Sequence, residues 1–538
     1  MKIRLYHLLA VLAMILAFSN CAKRGSPDGG PRDSIAPVIL KTSPENYTIY
    51  FDTDEIRVTF DEFIRLEDLQ QNLIISPPLE YQPEISPFNT SKTLKVKIND
   101  TLKENTTYSI NFGQSIVDNN EGNPYLYYKY VFSTGSYIDS LTLSGTVRDA
   151  LLSELAAQPT LMLYEVTEEF TDSVVYLEKP TYITTLRDTT NLFEFTNLKE
   201  GRYLLVALQE EQSNYTFQPD TDKIGFIPQM VNVPSDSLFD LVLFKEELDY
   251  EVGRARHVSK YHLQLGFQGD GSDLYLEPMS ELPDDFEFKR IRNREYDTIQ
   301  YWFKPAIDVE QQDTLYFMAR KGERSDSIIV RTRDLYADSL VVNSISNRTL
   351  IPRDSFKIRA NTPIVDLNPD LMEIMAQDST MIVPEVTLNE EFNEASLVFD
   401  KADETAYRVR FYPGAITDFY GETNDTLQYN FRTIALSDYG TLDLNLVGQA
   451  NYPLVVQLVD ESYRVVREAR LQSQEPINFD YILPAKYYIR LIEDSNDNGR
   501  WDSGNFLKRL LPEKVIYYPE LIEVRANWSL NETFILGD

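Results

Sequence analysis

The sequence predicts an all-β fold in which β-sandwich domains follow one another in an elongated array. Short runs of alternating apolar and polar residues recur along the chain, as at Ile56, Val58 and Phe60, and a period of two is typical of half-buried strands. Clusters of Pro, Gly, Asn and Asp, which favour turns, bound these runs. Long runs with a helical period are absent beyond the N-terminal segment, so sheets packed on sheets are expected.

The N-terminal segment has the layout of a signal peptide over residues 1–20. Lys2 and Arg4 form a short cationic start, and an apolar run extends from Leu8 to Phe18. This run is too short to cross a hydrocarbon core of about 30 Å as a helix. The only cysteine of the chain, Cys21, follows it, and residues 21–36 are rich in Gly, Pro and charge, as in a flexible linker.

This arrangement resembles the bacterial lipoprotein signal, in which a small-residue box ends in a cysteine that receives a lipid before cleavage. The resemblance implies cleavage before Cys21 and a covalent lipid on that side chain, although Phe18 and Asn20 depart from the usual box. Ala22 stands where an aspartate would be the familiar inner-membrane retention signal, which favours the outer membrane. Periplasmic and surface-facing orientations both stay open. The alternative is a soluble exported protein with a free buried cysteine.

Length and composition indicate several folded domains with an acidic surface. The chain has 538 residues, of which 43% are apolar, so each domain can fill a core without disulfides. Loss of Lys2 and Arg4 with the signal would take the net charge from −33 to −35. Nucleic-acid binding is disfavoured, because it depends on Lys and Arg contacts to phosphates. The acidic surface is expected to be solvated. The alternative is that it binds divalent cations or a basic partner.

Internal repeats divide the chain into an A-B, middle, A-B array. Five residue pairs align between the two A units, four of them 299 positions apart: Tyr108 with Tyr407, Phe112 with Phe411, Asp118 with Asp418, Gly122 with Gly421, and Phe132 with Phe431. The B units align through Phe195 with Phe479 and Tyr203 with Tyr487.

The repeat units resemble two kinds of β module. The A units, 37–135 and 341–434, resemble bacterial Ig-like modules through APVILKTSPEN, IRVTFDEFI and the closing Y-V-F-S-T run, of which the second copy keeps only the closing part. The B units, 136–246 and 435–538, resemble prealbumin-like modules related to the regulatory domain of carboxypeptidases, through LSGTV and F-x-F-x-x-L-x-x-G-x-Y-x-L. A fifth sandwich is expected at 247–340. These resemblances imply fold more than function.

The sequence carries no evident catalytic constellation, and we expect a non-catalytic protein. Beyond the signal segment the only histidines are His257 and His262, whose spacing on one strand would place them on opposite faces. We expect solvated histidines on a strand rim. GxSxG, P-loop and HExxH motifs are also absent. A carboxylate pair could still hydrolyse a glycosidic bond, but nothing singles out one pair among 84 acidic residues.

One loop has the spacing of a calcium site. The candidate ligands are the side chains of Asp494, Asn496, Asn498 and Asp502 and the backbone oxygen of Arg500. Gly499 occupies the sharp turn, whereas Asn505 replaces the bidentate glutamate of an EF-hand. The alternative is a polar turn held by Asx hydrogen bonds. The equivalent loop of the first B unit has Tyr215 in place of the glycine and Gln218 in place of Asp502.

These observations favour an outer-membrane lipoprotein that serves as a β-sandwich scaffold for protein–protein recognition, and an accessory subunit of an outer-membrane protein assembly, transport or secretion complex is the expected role. Its expected partners are the membrane, through the lipid, and an envelope or outer-membrane protein. The main alternative is a carbohydrate-binding or adhesive surface lipoprotein, and a third is a carboxylate-pair glycoside hydrolase. In the densest aromatic cluster, Tyr125 to Tyr130, strand spacing places Tyr128 and Tyr130 in the core.

Overall fold

The computed structural model describes residues 33–187, 190–271, 273–279, 284–293, 297–306 and 313–537. The predicted signal peptide and Cys21 lie outside these residues. The described chain is almost entirely strand and turn, with two α-helices of four residues each, so the predicted all-β architecture is confirmed. In this part of the chain, no helix has the length and apolar character that crossing a membrane requires.

Domain 1 is a sandwich of two sheets with one short helix. Its elements are β1 Ile39–Ser43, β2 Glu55–Leu66, α1 Leu69–Asn72, β3 Ile74–Ser76, β4 Glu84–Ser86, β5 Ser91–Lys97, β6 Thr107–Asn111, β7 Ile116–Asp118 and β8 Lys129–Ser133. The first sheet has the order β1-β2-β5-β4, with β7 also on β2, and the second has the order β3-β6-β8. Alternation along β5 buries Leu94 and Val96 in the shared core and leaves Lys95 and Lys97 exposed.

Domain 2 is a second sandwich. Its elements are β9 Leu141–Asp149, β10 Thr160–Glu165, α2 Val174–Leu177, β11 Tyr182–Thr185, β12 Leu192–Leu198, β13 Gly201–Gln209, β14 Lys223–Phe226, β15 Val231–Val233 and β16 Leu238–Leu243. One sheet has the order β12-β9-β16, in which β9 and β16 are parallel, and the other has the order β11-β10-β13-β14 with β15 on β13. Six consecutive residues of β13, from Tyr203 to Leu208, are buried, so this strand is covered on both faces.

Domain 3 also has two sheets. Its described strands are β17 Glu251–Ser259, β18 His262–Gln268, β19 Tyr275–Pro278, β20 Glu287–Arg292, β21 Thr298–Lys304, β22 Thr314–Lys321 and β23 Arg324–Arg331. The sheet β17-β18-β21-β20 packs against β19-β22-β23 around a core that includes Leu265, Ile299 and Leu315.

Domain 4 has the sheet arrangement of domain 1. Its elements are β24 Val342–Ser344, β25 Phe356–Ala360, β26 Ile364–Leu367, a 3-10 turn at Pro369–Leu371, β27 Met372–Ala376, β28 Met381–Ile382, β29 Glu385–Asn389, β30 Glu394–Val398, β31 Ala406–Phe411, β32 Ile416–Asp418 and β33 Leu427–Arg432. The order β24-β25-β30-β29 matches β1-β2-β5-β4, and β27-β31-β33 matches β3-β6-β8. The pair β26-β32 matches the pairing of β7 with the end of β2.

Domain 5 has the sheet arrangement of domain 2. Its elements are a 3-10 turn at Leu436–Asp438, β34 Gly440–Gly448, β35 Leu454–Asp460, β36 Val465–Leu471, β37 Ile477–Ile482, β38 Ala485–Glu493, β39 Val515–Tyr517, β40 Ile522–Val524 and β41 Ser529–Leu536. The sheet β37-β34-β41 again contains a parallel pair, β34 with β41. The sheet β36-β35-β38-β39 carries β40 on β38, as β13 carries β15.

The aromatic residues shared by the two A units make the same contacts in domains 1 and 4. Tyr108 lies opposite Phe132 with ring centroids 5.4 Å apart, and Tyr407 lies opposite Phe431 at 5.2 Å. Each tyrosine hydroxyl accepts a hydrogen bond from a backbone N–H five residues earlier in the chain, that of Lys103 or Ala402. These contacts tie the loop before the strand to the core.

Asp118 organises the turn after β7 in domain 1. Its buried carboxylate accepts four backbone N–H bonds, from Asn120 at 2.8 Å, Glu121 at 2.6 Å, Gly122 at 3.1 Å and Asn123 at 2.7 Å. Burial alone would raise the pKa of this carboxyl group, but the four donors outweigh burial and lower it. The charged form of Asp118 therefore stabilises the folded turn.

We predict that Asp118→Asn destabilises domain 1 by about 2 kcal/mol, because the amide loses the charge and places its NH2 group against backbone donors. Because the folded pKa is lowered, the contribution of Asp118 is complete above about pH 4, the range of an unfolded aspartate, and is lost as pH falls through the folded pKa. Faster amide hydrogen exchange across residues 119–124 would report the loss.

Asp418 of domain 4 provides the matched control. Its Oδ1 accepts N–H bonds from Tyr420 and Glu422, both at 2.9 Å, and its buried Oδ2 has no hydrogen-bond partner among the described residues. Asp418→Asn should therefore cost less than Asp118→Asn. Equal exchange rates for Asp118→Asn and the wild type would contradict the prediction.

Candidate functional site

Domains 2 and 5 contact each other although about 200 residues separate them in the chain. Phe506, in the loop between β38 and β39, is fully buried within a cluster of domain 2 side chains. Its ring centroid lies 5.2 Å from that of Phe226 and 6.1 Å from that of Tyr176. The serial sandwiches are confirmed, with the refinement that the expected elongated array turns back on itself.

Polar contacts surround this aromatic contact. Arg509 forms an ion pair with Asp172 of domain 2, and its guanidinium lies over the Phe506 ring at 5.0 Å. The Phe506 backbone N–H donates to the carboxylate of Glu246, whose pKa is raised mainly by burial. A backbone donor and an ion pair thus fix the orientation of the loop as well as its apolar contact.

A second part of the same interface lies around Leu151, which follows β9. Its carbonyl oxygen accepts hydrogen bonds from Arg490, at 3.0 Å, and from the Tyr517 hydroxyl, while its side chain packs with Val455 and Ile492 on the outer face of β35 and β38. Arg490 is buried and also donates to Gln457 at 2.7 Å. Both faces of this domain 5 sheet are therefore covered.

The connection between domains 4 and 5 is smaller. Arg353 of domain 4 pairs with Asp480 of domain 5 at 2.6 Å, and its guanidinium lies 5.5 Å from the ring of Tyr481. The covalent link is short, from the end of β33 at Arg432 to the start of β34 at Gly440.

Domains 3 and 4 meet through an aromatic and a charged contact. Phe419 of domain 4 packs with Ile291 and Trp302 of domain 3, and the Lys304 ammonium lies 4.4 Å from the Phe419 ring. The Tyr420 hydroxyl donates to the carbonyl oxygen of Tyr261 at 3.2 Å. With the short link from β16 to β17, these contacts join domains 2, 3, 4 and 5 in a closed cycle, which we call the four-domain cycle.

The expectation of solvated histidines is wrong. His262 is 8% exposed and stacks on Trp302 at a centroid distance of 4.0 Å, where burial lowers its pKa to about 4. His257 is also buried, its Nδ1 accepts the Arg333 backbone N–H at 3.1 Å, and burial lowers its pKa. Domain 4 covers the face of β18 and β21 that carries His262, which the pattern of one strand cannot reveal.

The predicted calcium loop brings its candidate side chains together. The Nδ2 groups of Asn496 and Asn498 both donate to Oδ2 of Asp502, the second at 2.7 Å. Asp494 is buried, and its carboxylate accepts the backbone N–H groups of Asn498 at 3.1 Å and Gly499 at 2.7 Å. Gly499 has a φ of +75°, as the tight turn requires.

Two further residues, Arg500 and Glu513, lie beside these candidate calcium ligands. Arg500 pairs with Asp502 at 3.6 Å, and its N–H donates to Oδ1 of Asn498 at 2.9 Å. Glu513, which sequence reasoning missed, accepts the N–H of Ser495 at 2.6 Å and that of Asp502 at 3.1 Å. Its carboxylate comes from the returning chain, beyond position 12 of the loop, where an EF-hand carries its glutamate. In the described part of the chain, no three His, Cys, Asp or Glu residues cluster as metal ligands.

The equivalent loop of domain 2 has the same backbone pattern. Glu210 replaces Asp494 and accepts the N–H groups of Asn214 at 2.7 Å and Tyr215 at 2.9 Å. Tyr215, at the position of Gly499, has a φ of +62°. The turn therefore forms with the side chains of either loop, and calcium binding at Asp494 to Asp502 stays a prediction.

We predict that 1 mM calcium stabilises domain 5 by about 1.4 kcal/mol relative to EDTA, which follows from a Kd of about 0.1 mM, within the range of extracellular calcium modules. Asp502→Asn should abolish the shift in melting temperature. Asp497→Asn, which removes an exposed charge of the same loop outside the candidate ligand set, should retain it. The absence of any shift in the wild type would refute calcium binding.

Comparison with known proteins supports the fold. Residues 33–134 match the family model of a bacterial Ig-like domain, which confirms the resemblance of the first unit to such modules. No curated protein matches the sequence. The prealbumin-like resemblance and the lipoprotein signal stay predictions.

Three similar solved structures have low sequence identity to this chain. Native alpha-2-macroglobulin of Escherichia coli is 11% identical over 89% of this chain and 42% of that one, with a TM-score of 0.14. A three-domain titin fragment is 11% identical over 52% of this chain and 97% of the fragment, with a TM-score of 0.14. The N-terminal eight Ig domains of Down Syndrome Cell Adhesion Molecule are 6% identical over 91% of this chain and 70% of that one, with a TM-score of 0.13. This chain spans 42% of the macroglobulin, and TM-scores this low support no argument about arrangement or function.

Proposed function

We propose that this protein is a lipid-anchored, non-catalytic scaffold of the bacterial outer membrane, which recognises an envelope protein as an accessory subunit of an assembly, transport or secretion complex. The four-domain cycle is the observation that carries the proposal. A cycle of sandwiches joined by specific contacts holds its loops and sheet edges at fixed mutual positions. Such rigid display suits recognition of a large partner.

The surface offers two means of recognition. The net charge of −33 would attract a partner with a basic face and speed its association. Edge strands such as β29, which ends the sheet next to β30 among the described strands and has alternating exposure, could accept an additional strand from a partner.

The anchor is proposed from the sequence alone. Lipid on Cys21 followed by the linker to residue 36 would hold domain 1 near the membrane, and domain 1 contacts domain 2 directly. Lys129 of domain 1, for example, donates to Asn197 of domain 2 at 3.2 Å. The membrane end of the chain would therefore be coupled to the four-domain cycle.

The test is affinity purification of tagged full-length protein from cross-linked, detergent-solubilised membranes, with the copurifying proteins quantified. We expect one envelope protein in stoichiometric amount. In a parallel purification without cross-linking, its recovery should fall as salt is raised, because screening weakens the charge attraction. Recovery of the chain alone from cross-linked membranes would contradict the scaffold proposal.

A further inference from the structure

A cleft of about 500 Å³ lies between domains 1 and 2, separate from the contacts of the four-domain cycle. Strands β3 and β6 form one wall, and β11 and β12 form the other. Ser76 Oγ accepts the Ile183 N–H across the cleft at 3.1 Å. Lys179 donates to the Leu79 carbonyl oxygen at 3.1 Å, and Lys129 donates to Thr196 and Asn197. The two walls are therefore fixed to each other.

Side-chain amides and hydroxyls line most of this cleft. Gln71, Ser109, Asn111 and Thr185 are among them. Asn111 Oδ1 accepts the Gly113 N–H at 3.0 Å, and no hydrogen bond among the described residues uses its NH2 group. Within the described residues, no hydrogen bond uses the side-chain polar atoms of Gln71, Ser109 or Thr185. Groups that both donate and accept match the hydroxyl groups of a sugar.

Tyr127 supplies an aromatic surface at the cleft. It is 45% exposed, whereas its neighbours Tyr128 and Tyr130 are buried, with 7% and 1% of their surface exposed. No hydrogen bond among the described residues uses its hydroxyl group. A partly exposed tyrosine offers an apolar ring face and a polar tip to one ligand, as the CH-bearing faces and hydroxyl groups of a pyranose require.

One cation in the cleft has no anionic neighbour. No carboxylate of the described chain lies within ion-pair distance of Lys129, and burial lowers the pKa of its ammonium group. Arg187, by contrast, pairs with Glu194. In a chain with a net charge of −33, an uncompensated lysine favours a ligand that is neutral or acidic.

We propose that the cleft between domains 1 and 2 binds an oligosaccharide. An extended peptide fits less well, because Ser76 already occupies the Ile183 N–H on the edge of β11, where strand addition would need a free donor. The assignment is independent of the scaffold proposal, since it requires neither the lipid nor the four-domain cycle.

The test uses isothermal titration of the full chain with defined hexasaccharides: cellohexaose, maltohexaose and chitohexaose as neutral probes and hexagalacturonic acid as the acidic probe. We expect at least one to bind with a Kd below about 1 mM. Tyr127→Ala and Asn111→Ala should each weaken that binding about tenfold. Tyr47→Ala, at a 57% exposed tyrosine of domain 1 outside the cleft with a similarly positive φ, should leave binding unchanged.

Comparison of hexagalacturonic acid with the neutral probes distinguishes an acidic from a neutral sugar as the ligand. Lys129→Met should weaken hexagalacturonic acid more than any neutral probe, if the acidic sugar binds best. Circular dichroism of each variant checks that the fold is intact. Failure of all four probes at about 5 mM, binding that Tyr127→Ala leaves unchanged, or binding of a poly-aspartate peptide without any sugar would each overturn the proposal.

Discussion

Replacing Phe506 with alanine should separate domain 2 from domain 5. The side chain is fully buried among domain 2 aromatics, and a Phe→Ala change at such a position costs about 3 to 5 kcal/mol. The remaining contacts are the apolar packing of Leu151, the hydrogen bonds to its carbonyl oxygen and the partly buried ion pair of Arg509 with Asp172. We expect the interface to open while each sandwich keeps its own core.

The opening can be measured as a distance, because the chain has only one cysteine. In a Cys21→Ser background, spin labels at Leu238→Cys in domain 2 and Ile535→Cys in domain 5, both exposed positions, should give a narrow distance distribution. Phe506→Ala should broaden it. Leu507→Ala, at the adjacent 60% exposed residue, is the control and should not. A narrow distribution in Phe506→Ala would show that the polar contacts suffice.

Cys21→Ser should release the protein from membranes almost completely. Without the thiol no diacylglycerol can be attached, and the lipid is the proposed anchor. The prediction rests on the sequence, since Cys21 lies outside the described residues. Fractionation followed by mass spectrometry of the N-terminus provides the measurement.

Uncleaved precursor must be distinguished in this experiment, because an unprocessed signal peptide could itself retain the variant in the membrane. The control variant Ala22→Ser changes the adjacent residue but keeps the cysteine, so it should stay lipidated and membrane-bound. A mature Cys21→Ser protein that remains in the membrane fraction would contradict lipid anchoring.

Local pattern predicted individual strands. Alternation along β5 and the repeated Tyr and Phe positions of β6 and β8 reflect a core within one sandwich, where neighbouring strands determine burial. The same holds for the Asp494 turn, whose spacing alone predicted that Asn496, Asn498 and Asp502 converge.

Contacts between domains were harder to predict. His262 lies on the outward face of its sheet, where Trp302 of the same sheet stacks on it and domain 4 packs nearby against Trp302 and Ile291. Phe506 follows the loop motif and carries no periodicity of its own. One signal was present: β13 and β35 contain unbroken apolar runs, LLVAL and LVV, which indicate that both faces of those strands are covered.

The four-domain cycle has a mechanical consequence. In an open string of domains each linker bends independently, and the orientations of distant domains become uncorrelated. In a closed loop of four bodies, a rotation at one junction requires compensating rotations at the others, so few joint motions remain. A pull transmitted through domain 1 enters the loop at domain 2 and divides between two routes, one through domain 3 and one through domain 5. Within the four-domain cycle, no single linker then bears the whole load.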